Sequence, residues 1–368
     1  MRVLMVAPGH APALGGIEAH VTELARALVR AGTDVEVWTH DRAARTEAVR
    51  VDAGVTVRSF PVTRSARFPV STRLMAKVAR SRMRGIDLVH AHGYHAVAAP
   101  AVLLPTIDVP VVFTPHYHGS GHTRLASALH RPYRLVGARL FAAAAAVVCV
   151  SESERDLVVR DFPSTRSRTS VIHNAVPVER IHAARPFDGE PPTALVLGRM
   201  ETYKRVDSVL RAFDQVAAPG QLVVIGEGPD AERIGEQART MRRRADVRLL
   251  GRLDDATVSR WLRTARCVVS MSEQEAFGIV ALEGVAAGAQ ALVSDIPAHR
   301  TVRELAPHGC VTLTSADQLV PALGAALAKP VASPRAVRNW DESANEHLAL
   351  FARVLGHDAR GNEERRSA

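Results

Sequence analysis

Short apolar runs alternate with longer amphipathic stretches along most of the chain. Arg2–Ala7 is almost continuously apolar, as a strand buried on both faces of a parallel sheet must be. After Pro8-Gly9-His10 and Gly15-Gly16, a helix is predicted from Ile17, with Val21, Leu24, Ala25 and Leu28 on one face. It closes at Ala31-Gly32, and Val35–Thr39 reads as the next strand, which makes a β-α-β unit with a glycine turn at the helix start. Further strands are predicted at Val55–Phe60, Asp87–His92, Val111–Thr114, Ala142–Val150 and Thr169–Asn174. A polar, proline-bearing stretch, Ala183–Pro192, reads as linker. The pattern then restarts at Ala194–Leu197, Leu222–Ile225, Val247–Leu250, Cys267–Val269 and Ala291–Asp295. Val206, Val209, Leu210 and Phe213 mark a helix between the first two of these. Trp340 to Leu355, with Leu348, Phe351 and Ala352, reads as a closing amphipathic helix. Alternation of this kind predicts an α/β fold.

At 368 residues and 47% apolar content the chain is long for one core and has the composition for two. No run reaches the ~18–20 apolar residues that a membrane span needs. The start, MRVLMVAPG, is interrupted too soon for a signal peptide, so a cytoplasmic protein is expected, on the inner membrane face if anionic lipid is bound. Cys149, Cys267 and Cys310 show no metal spacing and read as small buried hydrophobes of a reducing compartment. A net charge of +9 admits nucleic acid or an anionic membrane as partner. With only 4% aromatic residues and no base-reading motif, nucleic acid is not expected. Much of the charge is concentrated: Arg64–Arg84 holds seven basic residues and no acidic one. From about Ser71 this segment reads as a helix in which Leu74, Met75 and Val78 interleave with Arg73, Lys77 and Arg80. A packed helix with a solvated basic face accounts for the pattern. The sharper reading is a surface for anionic lipid or an anionic acceptor, contacted through Arg73, Lys77 and Arg80.

The most informative stretch is Met271–Gly288, MSEQEAFGIVALEGVAAG. A strand ends just before it and a helix follows Gly278, an arrangement that presents backbone N–H groups and a positive dipole end to an anion. Glu275 and Glu283 stand on either side, suited to accept hydrogen bonds from hydroxyls at the two ends of a ligand whose phosphates lie between them. A sugar nucleotide has that layout. A second gathering of charge follows the strand Ala194–Leu197, where Gly198-Arg199 precedes Lys204 at a helix start. Two charge-assisted contacts there would contribute roughly 1.5–3 kcal/mol each.

Glu275-Ala276-Phe277-Gly278-Ile279 with Glu283 resembles the E-x7-E signature of retaining glycosyltransferases of the GT-B fold, family 4. Gly198-Arg199 with Lys204 resembles the same family's diphosphate clamp, and Asp87-Leu88-Val89-His90-Ala91-His92 and Thr114-Pro115-His116 occur in it too. The resemblance covers nearly the whole chain in order. It implies two Rossmann-like domains facing across a cleft: residues 1–176 for the acceptor and 177–342 for the donor. Residues 343–360 would form a helix crossing back to the first domain, with a disordered tail at 361–368. It places Gly15 and Gly16, Gly16 above all, at the donor diphosphate, with Arg199 and Lys204. Leu253 would read the base through its main chain, Phe277, Gly278 and Ile279 would contribute backbone, and Glu283 would bind the ribose. Glu275 would bind the sugar, with His116 beside it as the second catalytic group. Retention of configuration, no cofactor and no metal are implied; the partners are a nucleotide-sugar donor and an acceptor the sequence does not identify. His116 and His118 are two apart, and that spacing alone does not make a metal site. A sugar-nucleotide 2-epimerase on the same fold, and a non-catalytic interaction protein, are the alternatives. Ala175 stands where the family has Gly, and Gly288-Ala289-Gln290-Ala291 lacks the family's Pro.

Overall fold

The computed structural model describes residues 1–11, 13, 15–41, 44–62, 71–80, 83–94, 107–117, 119 and 124–356. The basic stretch 64–70, His118 and the tail 361–368 lie outside them. The chain forms two compact units, one of Met1–Asn174 together with the segment from Trp340, the other of Ala175–Asn339.

In unit one the strands are β1 (Arg2–Ala7), β2 (Asp34–Asp41), β3 (Ala48–Asp52), β4 (Val55–Pro61), β5 (Leu88–His92), β6 (Val111–Thr114), β7 (Ala146–Cys149) and β8 (Thr169–Val171). Among the described residues they form one sheet in the order β3-β4-β2-β1-β5-β6-β7-β8. All pairs are parallel except β3 with β4. Central β1 is buried from Val3 to Ala7, which is why it reads as an unbroken apolar run. The edge strand β3 was not predicted, because Val49 and Val51 face solvent and leave no burial pattern to read. The helices of this part are α1 (Gly16–Arg30), α2 (Thr72–Arg80), α3 (Arg124–Ala143) and α4 (Glu152–Asp161). Helix α3 takes Ala142 and Ala143, which the apolar run had assigned to a strand; alanine is the best helix former and an alanine run has no period to separate the two states.

Unit two has β9 (Thr193–Leu197), β10 (Gln221–Ile225), β11 (Val247–Gly251), β12 (Cys267–Ser270), β13 (Gln290–Ser294) and β14 (Cys310–Leu313). These form a second sheet, ordered β11-β10-β9-β12-β13-β14 and parallel throughout. Its helices are α5 (Val178–Ala183), α6 (Val206–Phe213), α7 (Ala231–Thr240), α8 (Asp255–Thr264), α9 (Ile279–Ala286), α10 (Pro297–Leu305) and α11 (Leu319–Ala328). Val209, Leu210, Phe213, Leu222, Leu292 and Leu323 meet in the core, each worth about 1.5–3 kcal/mol of burial.

The last helix, α12 (Trp340–Val354), begins at the Trp340 that the pattern marks, three residues ahead of the segment boundary expected at 343, and packs in unit one against α1. Trp340 and Phe351 are buried, and Arg30 meets Asp341 at 2.6 Å. The predicted linker Ala183–Pro192 is not where the chain passes between units. It lies inside unit two, where Glu190 accepts hydrogen bonds from Gln221 (2.6 Å) and Arg248 (2.9 Å).

The Arg-rich stretch Arg239–Arg248 is not simply a solvated surface. Arg243 is only 17% exposed and donates to the carbonyls of Val216, Ala218 and Gly220 at 2.8–3.1 Å. Its guanidinium lies 4.3 Å from the Phe213 ring centroid. It ties the loop after α6 to the stretch between α7 and β11. Arg243→Ala is expected to cost about 2–4 kcal/mol in a urea melt. Arg243→Lys should recover little of this, since one ammonium cannot match the planar fork.

Candidate functional site

Two of the charged residues singled out in unit two, Lys204 and Glu275, meet beyond the carboxyl ends of its central strands. Past β9 the chain turns through Gly198 and Arg199 into a short 3-10 turn, Thr202–Lys204. Arg205 is left-handed (φ 51°), and α6 follows. Past β12 an irregular loop carries Ser272 and Glu275 to Gly278, whose φ of 92° starts α9. Lys204 Nζ lies 2.6 Å from Glu275 Oε1, and Ser272 Oγ donates to the same oxygen at 2.8 Å. Both members of the ion pair are half-buried. Burial opposes ionisation of Glu275, but Lys204, then His299 and Ser272, outweigh it and hold the carboxyl below its usual range.

His299, from α10, completes this corner. Its Nδ1 lies 3.0 Å from the Ser294 carbonyl at the end of β13, and Ser294 Oγ donates to the Ser272 carbonyl at 2.5 Å. Burial keeps the His299 imidazole below its ordinary pKa, against the pull of Glu275. A side chain at Gly278 would meet His299 Cδ2 at 2.8 Å, so both the left-handed turn and this contact require glycine there. Tyr203 lies on the other side: Lys204 Nζ is 5.3 Å from its ring, and burial with the Glu275 charge pushes its phenol up. Ser272, Ser294, His299 and Tyr203 were not singled out from sequence.

The remaining predicted donor residues are placed as follows. Ile279 opens α9 and Glu283 sits one turn further on, half-buried. Phe277 is a core side chain, 1% exposed, so only its main chain is available to a ligand. Arg199 is exposed and pairs with Glu201 at 2.8 Å rather than with Glu275. Leu253 is half-buried in the loop between β11 and α8.

In unit one, Gly16 begins α1 with nothing within 4 Å of a would-be side chain, whereas one at Gly15 would strike the Glu18 carboxylate. His116 follows β6 in the left-handed region (φ 49°), an uncommon conformation for a residue with a side chain. Next to it, the Tyr117 N–H donates to Glu154 at 2.5 Å, as the Val150 N–H does at 2.7 Å. Ser151-Glu152-Ser153-Glu154 has the spacing of a capping box, but only half of one forms. Ser151 does cap α4, accepting from the Glu154 N–H at 3.2 Å, but the Glu154 carboxylate ties the ends of β6 and β7 together. Its burial raises its pKa to about 7.

Helix α2 buries Leu74 and Val78, leaves Arg73 and Arg80 exposed, and lays Lys77 over Trp38 at 5.8 Å. Lys77, Arg80, Arg2, Arg58 and Arg84 line a recess of about 480 Å3, with Glu36 paired to Arg2 and Arg58. Among the described residues no helix is long and apolar enough to cross a membrane. All three cysteines are buried and unpaired.

The family model for glycosyltransferase family 4 matches residues 14–180, and that for glycosyl transferases group 1 matches residues 177–347. Glycogen synthase of Mycobacterium tuberculosis is 30% identical over 378 residues, covering 95% of this chain and 90% of the relative. GDP-mannose:cellobiosyl-diphosphopolyprenol alpha-mannosyltransferase of Xanthomonas oryzae is 28% identical, covering 81% of this chain and 79% of that one. Among solved structures, sucrose-phosphate synthase of Thermosynechococcus elongatus superposes with a TM-score of 0.79 at 19% identity, over 97% of this chain and 100% of that one.

Proposed function

The chain belongs to glycosyltransferase family 4, has the GT-B fold and transfers glycosyl groups, and on that premise we propose that it moves a hexose from a nucleoside-diphosphate sugar to an acceptor hydroxyl with retention of configuration and without a metal ion. The observation that carries this reading is the Lys204–Glu275 pair beside the start of α9. It sets a cation for the diphosphate next to a carboxylate for sugar hydroxyls, and each lowers the cost of half-burying the other.

In this account Lys204, Arg199 and the N–H groups at Gly278 and Ile279 stabilise the departing diphosphate. Glu275 accepts hydrogen bonds from the sugar, Glu283 holds the ribose, and the main chain at Leu253 reads the base. The motifs assign Gly16 to the diphosphate and His116 to a sugar hydroxyl. The bond from the anomeric carbon to phosphate oxygen breaks, the bond to the acceptor oxygen forms on the same face, and the acceptor proton passes to the leaving phosphate. The Xanthomonas relative, an alpha-mannosyltransferase named for GDP-mannose and a lipid-linked acceptor, supports the donor class. Together with the glycogen synthase it spans glycan and lipid-linked acceptors. An acceptor of the second kind would also suit the basic face of α2.

The test is a panel of nucleoside-diphosphate hexoses incubated with glycan, polyprenol-linked and small-molecule acceptors in EDTA. Expected are release of one nucleoside diphosphate, a hexose added to the acceptor, and the donor's anomeric configuration in the product by NMR. Conversion of the sugar nucleotide to an isomer without acceptor would instead identify an epimerase. Lys204→Ala should lower kcat/KM about 100-fold, near 3 kcal/mol of lost charge-assisted bonding.

A further inference from the structure

Three imidazoles converge in the core of unit one from elements far apart in the chain. His20 comes from α1, His92 from the last position of β5, and His116 from two residues past β6. One ring nitrogen of each lies within 4.8 Å of the other two, and all three residues are buried. The fold thus brings to His116 two histidines that are distant from it in sequence. His20 Nδ1 is 2.7 Å from Asn174 Oδ1. An amide oxygen only accepts, so this nitrogen carries the proton and Nε2 keeps the lone pair. That Nε2 is buried without a hydrogen-bond partner, and so are both ring nitrogens of His92. Buried polar atoms left this way are costly and rare.

We propose that His20, His92 and His116 bind a divalent transition-metal ion, Zn2+ being the ion their chemistry fits best. Three neutral imidazoles with no carboxylate suit zinc, cobalt or nickel and not calcium or magnesium. Asn174 supplies the outer hydrogen bond that fixes the tautomer of a metal-binding histidine. His90, 4.0 Å from His92, and Trp340, 5.4 Å from His20, close an aromatic shell around the three rings. Zinc–nitrogen bonds of about 2.0–2.1 Å put tetrahedral ligands roughly 3.4 Å apart, so the widest pair closes by up to about 1.4 Å. An ion held here engages His116. Under the proposed function, on which this clause alone rests, Zn2+ therefore inhibits transfer.

The test uses the untagged full-length chain, stripped with EDTA and freed of it. One equivalent of Co2+ should produce the intense visible absorption of a four-coordinate site, and Zn2+ should displace it. Folded His92→Gln, checked by circular dichroism, should lose the band. Asn174→Ala should keep it with affinity weakened about 10–100-fold. Co2+ that remains pale and six-coordinate in the wild type would overturn the site, and so would Zn2+ binding undiminished in folded His92→Gln. The wild-type spectrum and Asn174→Ala decide the matter if His92→Gln does not fold. Zn2+ should also slow turnover, reversibly with EDTA. Tight binding with unchanged turnover would remove the inhibitory role alone, while a chain without transferase activity would leave the cobalt result to stand by itself.

Discussion

Glu275→Gln yields a chain that still binds nucleoside diphosphate and transfers no measurable sugar. Glutamine keeps the shape and the acceptor oxygen but removes the charge that Lys204 and Ser272 surround. Hydrogen bonds from sugar hydroxyls to a carboxylate are about twice as strong as those to a neutral amide. A group serving the charge that develops at the anomeric centre matters most in the transition state. The expected loss in kcat is about 10³-fold or more, near 4 kcal/mol. Diphosphate binding should hold or tighten, because Lys204 is released from its carboxylate. Turnover and calorimetry on the same preparation separate the two effects, and wild-type turnover in the variant would show that Glu275 is not at the reacting sugar. A pH consequence follows from the same pair. The carboxyl is held below its usual range, so whatever stability it contributes is present at neutral pH and lost only as pH falls through that lowered value. Transfer should therefore not decline between pH 8 and 5 through titration of Glu275; a loss centred in that window would point to another group.

Gly226→Ala is expected to disrupt unit two. A Cβ there would lie 1.9 Å from the Gly198 carbonyl oxygen and 2.9 Å from its carbon, on a backbone at φ 140°. The obstacle is main chain in the turn just past β9, so no rotamer change relieves it. The turns after β9 and β10 are laced together: Gly198 N–H donates to Ile225 at 3.0 Å, Met200 to Glu227 at 2.9 Å, and Asp230 to Met200 at 3.0 Å. Prising them apart should cost about 3–5 kcal/mol, enough to remove most of the stability of an ordinary domain. Because the turn after β9 leads through Arg199 to Lys204, any folded remainder should also bind donor poorly. Gly16→Ala is the control, since open space surrounds that position and the melting temperature should hardly move. Equal melting of Gly226→Ala and wild type would mean that the two turns do not meet as described.

What could be read from sequence was local. Strand β1 has the predicted bounds because a strand buried on both faces writes its burial into consecutive residues, here the five from Val3 to Ala7. The stretch around Glu275 was legible because a strand end, a glycine and a helix start lie within a dozen positions. The support of Glu275 was not. Ser294 and His299 reach it from a different strand and helix, and nothing in their own surroundings marks them. Arg243 shows the same limit: among several arginines, only the fold reveals which one meets three carbonyls. Glu154 lay in a correct capping pattern, and its carboxylate nevertheless serves Tyr117 from another strand end. Periodicity reports which face of an element is buried, and contact partners distant in sequence leave no period.

The central claim is that the Lys204–Glu275 corner holds the diphosphate end of a sugar nucleotide. Calorimetric titration of UDP, GDP, ADP and dTDP, in EDTA, into the wild type and Lys204→Ala tests it most directly. The account predicts that one of the four binds the wild type in the micromolar range, about 7–8 kcal/mol, and binds the variant at least tenfold more weakly. Undiminished binding to Lys204→Ala, or no binding of any of the four to the wild type, would contradict it.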